Sequence, residues 1–216
     1  TTLPTPGAIS TGLLGWWKAN KGVYSDASGT TAAVSASNVN RWSDYSGNDK
    51  YLLAGDVPLY RTSTDTQSIN FNPVVDFNNA AGSDYMYRAT LNGCGGILCT
   101  NTYTDLYTYS VVNPKTHGTT GDVWGQNGVN GGQWSMVTAN GAANNILRAG
   151  PATDLTTNIS NTGEQNSIPY LYRGAMKTTG GSLLSLNRNG ALVNSSTAGV
   201  ASITGTNGQF YLGGGL

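Results

Sequence analysis

Charged side chains are scarce in this sequence of 216 residues, at 10% of the total, where a typical soluble domain has about 25%. The 11 Lys and Arg residues balance the 11 Asp and Glu residues, so the formal net charge is zero. Binding to nucleic acid or to an anionic membrane surface requires clustered Lys and Arg, so we expect neither partner. No hydrophobic run approaches the roughly 18 residues that a membrane-spanning helix needs, and no membrane span is predicted.

The side chains that most enzymes use are scarce too. The sequence has one histidine, His117, and one glutamate, Glu164. A metal site with several histidines is therefore excluded, and a Ser–His nucleophile would depend on His117, which lies in a polar segment typical of a solvated loop. Glycoside hydrolysis normally uses two carboxyl groups about 5–10 Å apart. Because the Asp residues are scattered, we expect no enzyme; an Asp pair from two strands stays open as the catalytic alternative.

The composition favours β-structure. Gly, Thr, Asn and Ser together supply 99 of the 216 residues, so good exposed helix formers are few. The hydrophobic share of 38%, with 12 Tyr and 5 Trp, is nevertheless sufficient for a packed core. No linker or repeat divides the chain, which predicts a single domain over residues 1–216.

Short apolar or alternating runs between turn clusters predict a dozen or more strands. The clearest is 105–113, which is rich in Tyr, Thr and Val. The other candidates are 13–18, 39–42, 51–53, 68–71, 74–77, 85–90, 122–125, 133–138, 145–148, 169–177, 183–188, 191–193 and 209–213. The sequence Asn187-Arg188-Asn189-Gly190 predicts a hairpin with a type I′ turn, and 31–37 is a candidate for one turn of helix. We predict an all-β fold of two stacked antiparallel sheets, a β-sandwich of jelly-roll type.

The two cysteines, Cys94 and Cys99, are separated by a segment that contains two glycines. Because glycine lets the backbone double back, a local disulfide between them is sterically reasonable. A redox or metal pair is the alternative, although no further Cys is present to complete such a site. A disulfide and a polar surface both suit a secreted protein, and the first residues resemble a mature N-terminus after removal of a signal peptide.

Calcium is the one cofactor that the sequence suggests. The segment 44–49 offers Asp44, Asn48 and Asp49 as oxygen ligands in one loop, and calcium takes six to eight such ligands. The simpler interpretation is that Asp44 and Ser46 cap the turn through side-chain to backbone hydrogen bonds.

Exposed aromatic rings with neighbouring amides are typical of carbohydrate sites. Trp124, Gln126, Asn127 and Trp134 lie in a loop-rich region in which we expect exposed side chains, and they are our candidate ligand-binding residues. Tryptophan in a sandwich is, however, more often part of the core.

Several motifs together resemble a known family. They are Leu14-Gly15-Trp16-Trp17-Lys18-Ala19-Asn20-Lys21-Gly22-Val23, Trp42-Ser43-Asp44-Tyr45-Ser46-Gly47-Asn48, Ile69-Asn70-Phe71-Asn72-Pro73-Val74-Val75-Asp76-Phe77, Asp84-Tyr85-Met86, Asn187-Arg188-Asn189-Gly190 and Tyr211-Leu212-Gly213-Gly214. In this order they are similar to a concanavalin A-like, LamG-like domain of large cell-surface proteins from Bacteroidota. The resemblance spans nearly the whole chain.

The resemblance implies an extracellular location on a bacterial cell surface. It also implies a domain that lacks its last strand or strands and is a fragment of a larger protein, with other domains of the same chain as neighbours. Such proteins are often adhesins exported by the type IX secretion machinery, and some take part in gliding motility.

The leading functional hypothesis is therefore a non-catalytic adhesin module that binds a surface glycan or another surface ligand through loops at one end of the sandwich. The alternatives are a purely structural tip or spacer, and an accessory carbohydrate-binding domain of a polysaccharide-degrading enzyme.

Overall fold

The computed structural model describes residues 9, 11–77, 84–88, 97–98, 101–114, 121–129, 132–139, 144–150, 154–157, 167–178, 183–197, 203–204 and 208–213. In these residues all regular structure is β-structure. Seventeen strands follow one another: β1 (Val23–Tyr24), β2 (Arg41–Trp42), β3 (Leu52–Ala54), β4 (Leu59–Arg61), β5 (Val74–Asp76), β6 (Met86–Arg88), β7 (Thr102–Tyr103), β8 (Asp105–Val112), β9 (Gly121–Val129), β10 (Gly132–Ala139), β11 (Asn144–Gly150), β12 (Asp154–Thr157), β13 (Tyr170–Lys177), β14 (Leu183–Arg188), β15 (Ala191–Ser196), β16 (Ile203–Thr204) and β17 (Phe210–Leu212). No helix in the described part of the chain is long and apolar enough to cross a membrane.

The larger sheet has nine strands in the order β1-β2-β3-β6-β17-β9-β10-β11-β12. Neighbouring strands in this sheet pair antiparallel. Strand β17 comes from near the end of the sequence and lies between β6 and β9. The register places the buried residues on one face: Trp124 lies opposite Met136, and Met136 lies opposite Leu147. Since opposite residues share a face, one apolar surface crosses these three strands.

The smaller sheet has four strands in the order β15-β14-β13-β8. Strands β14 and β15 form a hairpin whose turn is Asn189 and Gly190, at φ 49° and 84°. Positive φ at both central residues is the mark of a type I′ turn, which twists in the sense of the flanking strands. The predicted hairpin is confirmed. Two further pairs of short strands, β4 with β5 and β7 with β16, lie outside these two sheets.

The two sheets pack face to face. A β-carbon added to Gly174, in β13, would lie only 3.0 Å from Leu147 Cδ1 in β11. The backbone of Gly174 therefore packs closely against the opposite sheet. Leu147, Met176, Leu184 and Leu186 are almost completely buried between the sheets. The all-β, antiparallel sandwich that the sequence predicts is therefore confirmed, while its jelly-roll connectivity stays a prediction.

Three local predictions are wrong. The run 68–71 is a tight turn rather than a strand: Ile69 and Asn72 form an isolated bridge around Asn70 and Phe71, which adopt φ 50° and 61°. The run 13–18 is not a continuous strand: within it only Trp17 and Lys18 form bridges, each isolated, and the Trp17 ring stacks on Phe210 with the ring centroids 5.5 Å apart. The segment 31–37 is not helical, since Ala36 adopts φ 61°, which a right-handed helix does not allow.

Candidate ligand-binding face

The outer face of the smaller sheet carries exposed aromatic and aliphatic side chains. In β8 the exposed residues are Tyr107, Tyr109 and Val111, whereas Leu106 is buried. This alternation follows from the two-residue period of a strand, which turns every second side chain away from the core. Tyr109 is 63% exposed, and no ring or cation among the described residues stacks on it. The strand thus presents a phenol ring to solvent.

Neighbouring strands place polar groups beside these rings. In the antiparallel register, Arg173 of β13 lies opposite Tyr109 on one side and opposite Asn187 of β14 on the other. Directly opposite residues have β-carbons about 4.5–5.5 Å apart. The side chains of the three residues therefore form one row across the sheet.

Arg173 is held in position by Asn187 and by Tyr107. Its Nη1 donates a hydrogen bond to Asn187 Oδ1 at 3.2 Å. Its guanidinium carbon lies 5.1 Å from the centroid of the Tyr107 ring, within cation–π range. The guanidinium consequently lies against the sheet rather than extending freely into solvent.

These side chains surround a shallow depression of about 170 Å³. Its lining consists of Tyr109, Leu171, Arg173, Asn187 and Gly190. The hairpin turn contributes Gly190, so the type I′ turn forms one wall. A few polar groups among apolar surfaces are what small-ligand sites generally offer. We call the set Tyr107, Tyr109, Val111, Leu171, Arg173 and Asn187 the tyrosine face.

The predicted site around the tryptophans lies elsewhere and is buried. Trp124 and Trp134 are each 4% exposed, within β9 and β10 as the strand candidates 122–125 and 133–138 predict, and their rings lie 5.5 Å apart in the core. The exposure expected for these rings is therefore wrong, since a ring enclosed on both faces has no surface left for a sugar. In this Gly-rich sequence, Gly125 of β9 lies opposite Tyr211 of β17, and the absence of a side chain on Gly125 lets the Tyr211 ring approach closely.

Gln126 has a structural role in the same region. It is 1% exposed, and its Oε1 accepts hydrogen bonds from the backbone amides of Ile97 at 2.7 Å and Leu98 at 3.0 Å. This side chain fixes residues 97–98 against β9. For Asn127 the structure describes the backbone, which pairs with Gln133, and the side chain lies outside the described part.

The predicted calcium ligands form a hydrogen-bonded turn. Asp44 Oδ1 accepts from the amides of Trp16 and Ser46, both at 2.8 Å, and its Oδ2 accepts from Ser46 Oγ at 2.6 Å and from the Lys50 amide at 3.1 Å. A carboxylate has about four lone-pair sites, so protein donors occupy them all. These contacts are those of the turn-capping interpretation.

The other two predicted ligands support the same turn. Asn48 Nδ2 donates to the Leu13 carbonyl at 2.7 Å, so its amide joins the loop to the N-terminal segment. Asp49 adopts φ 51°, within the left-handed region. In the described ranges, no three His, Cys, Asp or Glu side chains are close enough together to hold a metal ion. The calcium site stays a prediction.

Four residues that the sequence analysis considers for a disulfide or for catalysis lie outside the described ranges. They are Cys94, Cys99, His117 and Glu164. The disulfide and the alternatives to it stay predictions.

An alternating strand pattern in the sequence indicates the tyrosine face, which lies on a strand and not in a loop. In Leu106-Tyr107-Thr108-Tyr109-Ser110-Val111, the larger residues after Leu106 all fall at odd positions, and a strand places them on one face. The partners Arg173 and Asn187 have no comparable signal, because their proximity depends on the pairing of β13 with β8 and β14.

No protein-family model matches the sequence, and no curated protein sequence is significantly similar to it. Among solved structures, the chain is similar to the botulinum neurotoxin serotype D binding domain, with 11% identity over 80% of this chain and 40% of that chain and a TM-score of 0.46. A second structure, the receptor binding domain of botulinum neurotoxin D, gives 11% identity over 82% of this chain and 44% of that chain, with a TM-score of 0.46.

A third is the binding domain of botulinum neurotoxin DC in complex with SialylT, at 10% identity over 81% of this chain and 41% of that chain, with a TM-score of 0.43. The chain spans about two fifths of the length of these structures. The resemblance to concanavalin A-like domains stays a prediction.

Proposed function

We propose that this protein is a non-catalytic glycan-binding module that holds its ligand on the tyrosine face. The observation that carries the proposal is Tyr109, 63% exposed beside a depression that Arg173 and Asn187 also line. The apolar C–H face of a pyranose packs on an aromatic ring, and its hydroxyls need hydrogen-bonding groups beside that ring. The tyrosine face supplies both.

The composition of the depression supports binding without catalysis. Its five lining residues include no carboxylate, whereas glycoside hydrolysis normally uses two. Arg173, the charged member of the lining, offers hydrogen-bond donors and no acceptor.

The biological setting in this proposal comes from the motifs. The resemblance to LamG-like domains supports an extracellular module of a bacterial surface adhesin, exported by the type IX machinery and joined to other domains. An accessory sugar-binding domain of a polysaccharide-degrading enzyme uses the same face in the same way. The sequence of the whole protein separates these settings, since a neighbouring hydrolase domain favours the accessory role and many repeats favour the adhesin.

The test is a glycan array of bacterial, algal and host polysaccharides, with the wild-type chain and two variants. Tyr109→Ala is expected to bind none of the glycans that the wild type binds. The matched control is Phe71→Ala, because Phe71 is another highly exposed aromatic side chain and lies outside the tyrosine face. Phe71→Ala is expected to bind as the wild type does.

Wild-type binding that survives in Tyr109→Ala would refute the assignment of the face. No binding to any glycan would favour the structural spacer. In that case, deletion of the module from the whole protein should leave adhesion intact and impair surface display.

A further inference from the structure

Arg173 is the one cationic side chain in the lining of the depression on the tyrosine face. A guanidinium has five N–H donors arranged as a rigid fork. One of them is used in the described contacts, by the bond from Nη1 to Asn187 Oδ1. The remaining donors are available to a ligand in the depression.

No carboxylate among the described residues forms an ion pair with Arg173. On the same face the nearest acidic position along the strands is Asp105, which lies opposite Lys177. Lys177 is four residues from Arg173, or about 13–14 Å at the usual rise of a strand. Asp105 Oδ1 accepts a hydrogen bond from the Thr178 amide at 3.0 Å, so this carboxylate is held at the far end of β13.

The position of the guanidinium is fixed before any ligand binds. Asn187 holds one of its nitrogens, and the Tyr107 ring lies 5.1 Å from its central carbon. A positioned fork loses less conformational freedom on binding, and its geometry matches the two oxygens of a carboxylate or sulfate. Tyr109 lies directly opposite Arg173 in the register, so one sugar residue can reach both side chains.

We infer that the tyrosine face selects acidic sugars, with the carboxylate or sulfate of the ligand bound by Arg173 and the sugar ring stacked on Tyr109. This inference rests on the proposed glycan-binding function. The recognition chemistry is shared by uronic acids, sialic acids and sulfated sugars, because each presents an anionic group on a pyranose ring.

The experiment measures affinity by isothermal titration calorimetry for four probes of equal length. They are hexamers of galacturonic acid, of a sulfated galactan, of neutral cello-oligosaccharide and of glutamate. The wild-type chain is expected to bind at least one acidic sugar about tenfold or more tightly than the neutral hexamer. The carboxylate and sulfate probes then identify which anionic group the site prefers.

Three variants separate the role of Arg173 from general effects of charge. Arg173→Gln is expected to weaken binding of the acidic sugar by about 10- to 100-fold, the size expected for hydrogen bonds to a charged group. The neutral hexamer is expected to lose a smaller factor, because Gln keeps a hydrogen-bonding group beside Tyr109. Arg173→Lys keeps the charge without the forked donors, so its affinity for the acidic sugar is expected to lie between those of the wild type and Arg173→Gln. Lys177→Gln, on the same strand at the far end of the face, is expected to behave as the wild type.

Salt gives an independent readout, because raising the salt concentration screens charge pairs. The preference for the acidic sugar is expected to shrink with salt in the wild type and to be absent in Arg173→Gln at every concentration. Urea midpoints of all variants verify that each one is folded.

The inference would be overturned if the wild type bound acidic and neutral sugars with equal affinity and Arg173→Gln did not change either affinity. The proposed function would still stand in that case if Tyr109→Ala abolished binding. Tight binding of hexaglutamate without binding of any sugar would overturn both, since the partner would then be an acidic peptide.

Discussion

The burial of Trp134 leads to a prediction that separates a core role from a surface role. Its ring is 4% exposed and lies 5.5 Å from the Trp124 ring, tilted by 46°. Replacing a buried Phe or Trp by Ala costs about 3–5 kcal/mol through lost burial and the cavity that remains. Domains are typically stable by about 5–15 kcal/mol, so Trp134→Ala should remove a large share of the total.

The assay is equilibrium unfolding in urea, followed by far-UV circular dichroism. With an m-value of about 3 kcal/mol/M, the upper end for small proteins, a loss of 3 kcal/mol lowers the midpoint by about 1 M. Trp134→Phe fills part of the cavity and should cost about 1–3 kcal/mol, which keeps the prediction testable if the Ala variant does not fold.

The matched control is Tyr109→Ala, which removes a large aromatic ring that is 63% exposed. We expect its free energy of unfolding to change by about 0.5 kcal/mol or less, as is usual for surface substitutions. If Trp134→Ala leaves the midpoint unchanged while Tyr109→Ala lowers it by about 1 M, the assignment of inner and outer faces is wrong.

Three further predictions concern packing, pH and calcium. Gly174→Ala places a β-carbon 2.8 Å from Thr108 Oγ1 and 3.0 Å from Leu147 Cδ1 and should lower the free energy of unfolding by about 1–3 kcal/mol; an unchanged urea midpoint would contradict this close packing around Gly174. The Ser35 hydroxyl donates to Asp65 Oδ2 at 2.7 Å and holds the pKa of that carboxyl below its ordinary value of 3.8. The ionised Asp65 therefore stabilises the folded state fully above about pH 4, and this contribution is lost as the pH falls through the folded pKa. Urea midpoints of wild type and Asp65→Asn should therefore differ at pH 7 and converge in acid; a constant difference would contradict this. Because protein donors occupy the oxygens of Asp44, we expect the same Tm in calcium and in chelator, whereas a site filled at 100 times its Kd would add about 2.7 kcal/mol.

Local sequence signals were sufficient for part of the fold. Asn189 and Gly190 determine their own turn through positive φ, and the alternating pattern of β8 requires no information from the rest of the chain. These features depend on the conformational preferences of neighbouring residues, which is why the sequence predicts them correctly.

The positions of Trp124 and Trp134 depend on long-range pairing instead. Strand β17, with Phe210, inserts between β6 and β9, and the order of the sheet buries the two tryptophans in a stretch whose Gly content resembles loops. The row of Tyr109, Arg173 and Asn187 has the same origin, since the three residues come from three strands. No spacing in the sequence indicates that they meet.

The most direct test of the central claim is a titration of isotopically labelled protein with the tightest-binding glycan, observed by NMR. We predict that the largest chemical-shift changes fall on Tyr109, Leu171, Arg173 and Asn187, which are four of the five residues that line the depression on the tyrosine face. Changes confined to residues outside the tyrosine face, with Tyr109 and Arg173 unaffected at saturation, would contradict the account.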